Sequence, residues 1–249
     1  AYNEKPATGL AALFVAAMDY PLAPAITAAR REALDRGDTG YVHVSGGGAK
    51  EAFAGYAADA WGWSPDPALM RTATDVSVVI VESLRRLVRP GDGVVITPPV
   101  YPPFYDLVPE AGARTVEVPL LDDGTEHRLD LDGIDRALAA GARGVLLCNP
   151  HNPLGLVHPR ADLERLAGIV DAHGAVVVSD EIHAPLTHPD AEFVPYLEVA
   201  PAAAEHGMAL HSPSKAFGLA GLKCALMVAG GERMRAALKA MPEEVMFRT

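Results

Sequence analysis

Gly144-Val145-Leu146-Leu147-Cys148 and Ala175-Val176-Val177-Val178-Ser179 are two continuous apolar runs separated by a segment of helical periodicity, Ala161 to His173. Short runs of this kind, bounded by Gly, Asn or Asp, read as strands covered on both faces, because a half-exposed strand would alternate apolar with polar. Pro159 opens the helix between them and Gly174 closes it, the residue types that helix ends favour. Strand, helix and strand in this order make a βαβ unit, whose two strands run parallel.

The same alternation extends outward in both directions. Gly93 to Thr97, Thr115 to Val118 and Leu222 to Val228 are further short apolar runs. Ile26 to Arg36, Ala49 to Trp61, Val76 to Val88, Leu131 to Ala140 and Glu232 to Met241 carry helical spacing, with Asp75 placed to cap the third of them. The pattern predicts an α/β fold with a mostly parallel central sheet flanked by helices. Such sheets bind ligands beyond the carboxyl ends of their strands. The loops there hold Tyr101, Asn152, Asp180 and His183, and a third apolar stretch leads to Lys215. No internal repeat or low-complexity linker divides the chain.

Composition narrows the function. The 249 residues allow one large domain or two small ones, and 21 basic against 32 acidic residues leave a net charge of −11. That charge repels nucleic acid and anionic membranes, so neither is an expected partner. Cys148 and Cys224 lie in apolar runs and suit a reducing, cytoplasmic setting. Gly9 to Met18 copies the apolar part of a signal peptide, but Glu4 and Asp19 flank it with acid and it is too short to span a bilayer. The histidines show no metal-ligand spacing, so no metal is expected. Gly46-Gly47-Gly48 lacks the lysine of a phosphate loop and reads as a flexible turn.

Three strings then stand in order: Asn149-Pro150-His151-Asn152-Pro153-Leu154-Gly155, Ser179-Asp180-Glu181-Ile182-His183 and Ser212-Pro213-Ser214-Lys215, the last followed by Gly221-Leu222-Lys223. Together with Pro98-Pro99-Val100-Tyr101-Pro102-Pro103-Phe104 and Met18-Asp19-Tyr20-Pro21, they resemble the class I/II aminotransferase superfamily of fold-type I pyridoxal phosphate (PLP) enzymes. The second string and the proline-rich string resemble its cystathionine β-lyase and C–S lyase branch.

The resemblance implies a set of roles. Lys215 matches the Schiff-base lysine, Asp180 the carboxylate facing the pyridine nitrogen, and Asn152 the donor to the ring 3′-oxygen. His183 stands where many relatives place a tyrosine reaching that oxygen, and Tyr101 matches the aromatic stacked on the ring. Ser212, Lys223 and the helix start at Val76 and Ser77 match the phosphate site, although many relatives have arginine in place of Lys223 and glycine near Asp75. Tyr41 matches a tyrosine lent across a dimer interface, which implies a homodimer with shared active sites. Residues 1–40 would join the small domain and the dimer contact, and 41–249 the PLP-binding large domain. The rest of the small domain, with the arginine that binds the substrate carboxylate, is expected beyond Thr249. The expected activity is carbon–sulfur β-elimination from cystathionine or another cysteine S-conjugate. Aminotransfer from an amino acid is the alternative, because both use the same residues up to Cα deprotonation, and a non-catalytic PLP-fold protein is a third reading.

Overall fold

The computed structural model describes Ala16 and residues 20–42 and 46–247. Most of the Gly9 to Met18 run, Met18-Asp19 of the resemblance, and Thr249 lie outside the described residues. The chain opens with helices α1 (Pro24–Asp35) and α2 (Ala49–Trp61), then strand β1 (Met70–Ala73) and helix α3 (Val76–Leu87). Strand β2 (Gly93–Ile96), helix α4 (Phe104–Glu110) and strand β3 (Arg114–Glu117) follow, with a small hairpin of β4 (Leu121–Asp122) and β5 (His127–Arg128). Next come α5 (Leu131–Ala139), β6 (Ala142–Cys148), α6 (Arg160–Ala172) and β7 (Val176–Asp180). The last elements are α7 (Pro201–His206), β8 (Gly207–His211), β9 (Ala225–Ala229), α8 (Glu232–Lys239) and α9 (Glu243–Phe247).

Seven strands form one sheet in the order β1-β9-β8-β7-β6-β2-β3. All pairings among β8, β7, β6, β2 and β3 are parallel, whereas β9 runs antiparallel to both β8 and β1. The strands of the βαβ unit pair from Gly144 with Val176 to Cys148 with Asp180. Their residues alternate between two layers: Leu146 and Val178 pack with α3, α4 and α8, while Val145, Leu147 and Val177 pack with α2, α5, α6 and α7. Both faces are therefore covered, which is why these strands carry no polar alternation.

Some elements were masked from a periodicity reading. The helix α4 follows Pro102-Pro103 and contains Pro109, so no helical pattern shows. The run from Leu222 is not strand throughout: Ala220–Leu222 is a single 3₁₀ turn, Lys223 has φ +56°, and the ladder starts at Ala225. Gly46, Gly47 and Gly48 all have positive φ and turn the chain into α2, and a Cβ on Gly46 would stand 2.8 Å from Thr72 Cγ2. Conformation, not ligand contact, explains that run.

Candidate active site

The shared direction of β1, β2, β6, β7 and β8 brings their C-terminal ends to one edge of the sheet. The reversed strand β9 begins at that same edge, so the residues just before it join the loops there. A cleft of about 750 Å³ opens at this edge, lined among others by Val76, Ser77, Tyr101, Asn152, Asp180, His183, Lys215 and Lys223. Eight of the ten residues singled out from the sequence thus meet in one cavity.

Each is placed by a local device. Asp180 ends β7, is 6% exposed, and accepts a hydrogen bond from Ile182 N–H at 3.2 Å. Burial lifts its carboxyl to about 7, with neighbouring Glu181 adding to the rise and the Ile182 amide and the Lys215 ammonium opposing it. Asn152 is turned toward the cleft by its own backbone, whose N–H donates to Cys148 Sγ at 3.3 Å. Two histidines staple the same loop: His151 Nε2 donates to Pro99 O at 2.8 Å, and His158 Nε2 to Cys148 O at 3.0 Å. Tyr101 is held edge-on to Phe104, ring centroids 5.8 Å apart. Its phenol is raised above the ordinary tyrosine range, mainly by burial and then by the charges of Asp180 and Asp75. His183 is lowered by burial and by the Lys215 ammonium, so it is neutral at pH 7.

The anion end differs from the sequence reading in two respects. Ser212 does not line the cleft; its hydroxyl donates to Cys224 O at 2.6 Å and accepts from Ser214 N–H at 3.1 Å, leaving Ser214 on the cleft wall. Ser212 thereby shapes the turn that presents Lys215. Asp75 does cap α3, its Oδ1 accepting from Val78 N–H at 3.0 Å, but its Oδ2 also holds Lys223 Nζ at 3.2 Å. Sequence reasoning gave Asp75 only the first duty. Tyr41 is 94% exposed and is absent from the cleft lining. Among the described residues no group of three His, Cys, Asp or Glu side chains is arranged to hold a metal ion. Nor is any described helix long and apolar enough to cross a membrane.

The sequence model of aminotransferase class I and II matches residues 20–249. The chain belongs to the class I and II aminotransferase family. A Mycobacterium leprae relative, provisionally named a cystathionine beta-lyase, is 44% identical over 243 residues, covering 94% of this chain and 58% of its own length. The cystathionine beta-lyase PatB of Bacillus subtilis is 32% identical over 229 residues, covering 92% of this chain and 59% of its own. A solved Corynebacterium diphtheriae structure, provisionally titled a PLP-dependent beta-cystathionase, superposes with a TM-score of 0.87 at 28% identity, over 96% of this chain and 62% of that one. The chain therefore spans less than two thirds of the length of these relatives.

This family member has a fold-type I PLP enzyme's sheet and a cleft whose donor set suits the cofactor. A buried carboxylate with a raised pKa, Asp180, is one that a protonated ring nitrogen would compensate. An amine, Lys215, shares its cavity, and a helix start with a lysine beside it, Val76, Ser77 and Lys223, offers donors to a phosphate.

Proposed function

We propose that the chain is the PLP-binding part of a carbon–sulfur β-lyase acting on cystathionine or another cysteine S-conjugate. The observation that carries the reading is the convergence of Asp180 and Lys215, from the ends of adjacent strands β7 and β8, on one cleft. PLP, when bound through its aldehyde, supplies an electron sink for the charge left when a Cα–H bond breaks. Lys215 Nζ would hold the cofactor through its aldehyde and, as a free amine, would serve as the base for the Cα proton. Asp180, ionised, would face the ring nitrogen and favour its protonated form. Asn152 and His183 would supply hydrogen bonds to the ring oxygen, and Tyr101 would offer its face to the ring. Lys223 and the amides of Val76 and Ser77 grip the phosphate, with Asp75 competing for Lys223. Cys148 in the cleft wall is held as the neutral thiol by burial and the nearby Asp180 charge, so it does not compete as a nucleophile.

The names of the M. leprae and B. subtilis relatives favour elimination over aminotransfer. The test is cystathionine or an S-alkyl cysteine supplied without keto acid. A lyase releases pyruvate and thiol over many turnovers, whereas a single turnover revived by adding a keto acid makes the protein an aminotransferase. Residues 41–249 form the large domain in this reading, and 1–40 belong to the small domain and dimer contact. The absence of any buried residue in α1 supports that division. Exposed Tyr41 serves the partner's phosphate in a homodimer. Mixing Tyr41→Phe with Lys215→Ala subunits then restores one intact site per mixed dimer, and fully PLP-binding monomers in light scattering would refute the sharing. Cysteines that are both free fit a cytoplasmic location.

A further inference from the structure

Behind the cleft, on the other face of the sheet, lies a second group of buried polar residues that the proposed mechanism leaves unused. Glu181 follows Asp180 directly and is fully buried. Its Oε1 accepts from Ser179 Oγ–H and from Tyr196 N–H, each at 2.9 Å, and its backbone N–H donates to Leu210 O at 2.9 Å. Its Oε2 lies 3.2 Å from His211 Nε2, and His211 is 3% exposed. His211 is the last residue of β8 and directly precedes Ser212. Its imidazole sits among Phe53, Trp61 and Trp63, with centroids 4.5, 5.6 and 5.8 Å away.

Such a pair is costly as a stability device. Two ionisable groups taken wholly out of water recover their desolvation only in part, and apolar residues of the same volume would do as well. The two groups do, however, link the ends of β7 and β8 through their side chains, beyond the last rung of the backbone ladder between Asp180 and Leu210. Those ends carry Asp180 and the Ser212–Lys215 turn. The aromatic rings hold the His211 imidazole from three sides, and the hydrogen bonds from Ser179 and Tyr196 fix the Glu181 carboxyl group beside it.

We propose that Glu181 and His211 are positioning residues, a buried carboxylate–imidazole pair that sets the spacing of Asp180 and Lys215 across the cleft. The proposal rests on the PLP reading above. A displacement of about 1 Å in a group facing the cofactor is enough to cost roughly a hundredfold in rate, so loosening this pair is felt in the cleft although neither residue touches it.

Glu181→Gln is the decisive variant, because its amide oxygen still accepts from Ser179 and Tyr196 and only the charged partner of His211 is lost. The cofactor-free variant should still fold cooperatively, melting lower than the unmodified chain because one partner of a buried pair is lost. Loaded with PLP, it should show a changed visible circular dichroism band and a dissociation constant raised about tenfold or more, with kcat reduced and KM little altered. His211→Phe keeps the aromatic packing and should give the same spectral change, and the double variant should be no worse than Glu181→Gln, as two members of one unit behave. Glu181→Gln protein with unaltered circular dichroism and PLP affinity would overturn the proposal, as would single losses that simply add. If the unmodified chain takes up no PLP, the parent reading fails and takes this one with it. If it takes up PLP and the variants match it, only the positioning role fails.

Discussion

Lys215 and Asp180 line the same cleft, and Lys215 lies in a loop, so truncating it costs little packing. Lys215→Ala should abolish the visible PLP band and borohydride labelling while leaving the melting temperature almost unchanged; a label recovered on Lys223 or Lys50 instead would reassign the amine. Asp180 carries a pH signature as well. Its carboxyl sits at about 7 in the folded chain against 3.8 for the free side chain. The raised value means that its stabilising contribution is complete below about pH 4 and is lost as pH rises through 7, on the order of a few kcal/mol. Asp180→Asn should therefore stabilise the cofactor-free protein at about pH 8, less so at about pH 5, and leave it unchanged only below about pH 4, where the carboxyl is protonated in the folded and the unfolded chain alike. The same substitution should cut turnover by several orders of magnitude, because the ring nitrogen loses its counter-charge. These two residues were legible through the family resemblance of the short strings that follow their strands. Ser212 and Glu181 were not: whether a serine faces the cleft or the Cys224 carbonyl, and which strand a buried carboxylate braces, depends on neighbours distant in sequence.

Among the elements, α3 and its cap bear most directly on the cleft. Asp75 satisfies the Val78 amide and also holds Lys223. Asparagine caps as well as aspartate, whereas alanine costs about 1 kcal/mol. Asp75→Asn should thus melt like the unmodified chain but bind PLP and inorganic phosphate severalfold more tightly, since Lys223 is released and a repelling charge removed. Asp75→Ala should lower the melting temperature; equal melting of both variants would mean that the cap carries no weight. The helices with strong apolar periodicity, α3, α5 and α8, were readable to within two residues, because one face of each packs on the sheet. The short strand β1 and helix α7 were not, since Met70-Arg71-Thr72-Ala73 has no valine-rich run and Pro201–His206 spans fewer than two turns. Their state is set by the pairing of β1 with β9 and by packing of α7 on α6.

For the whole molecule, buried histidines decide the response to acid. His158 and His206 are both pushed down to about 4 by burial, and His151 is lowered too. A depressed histidine contributes stability that is present above about pH 6.5 and lost as pH falls through 4, which opposes the Asp180 effect over the same range. Two such groups outweigh one carboxyl, so the chain should lose stability between about pH 6 and pH 4 in denaturant titrations. The single predicted architecture was recoverable in outline because parallel strands buried on both faces have a distinctive composition. The reversal of β9 was not, because an antiparallel neighbour leaves the same apolar run as a parallel one.

That reversal also orders events in time. In the sheet β1 has β9 as its one neighbour, so on the ribosome β1 stays unpartnered while everything from Thr74 to Cys224 is made. The strand that follows Ser212, Lys215 and Lys223 is therefore also the one that seals the sheet's early edge. A nascent chain that has not reached Ala229 has neither a finished sheet nor a settled frame for Lys215 and Lys223, so cofactor capture waits for β9.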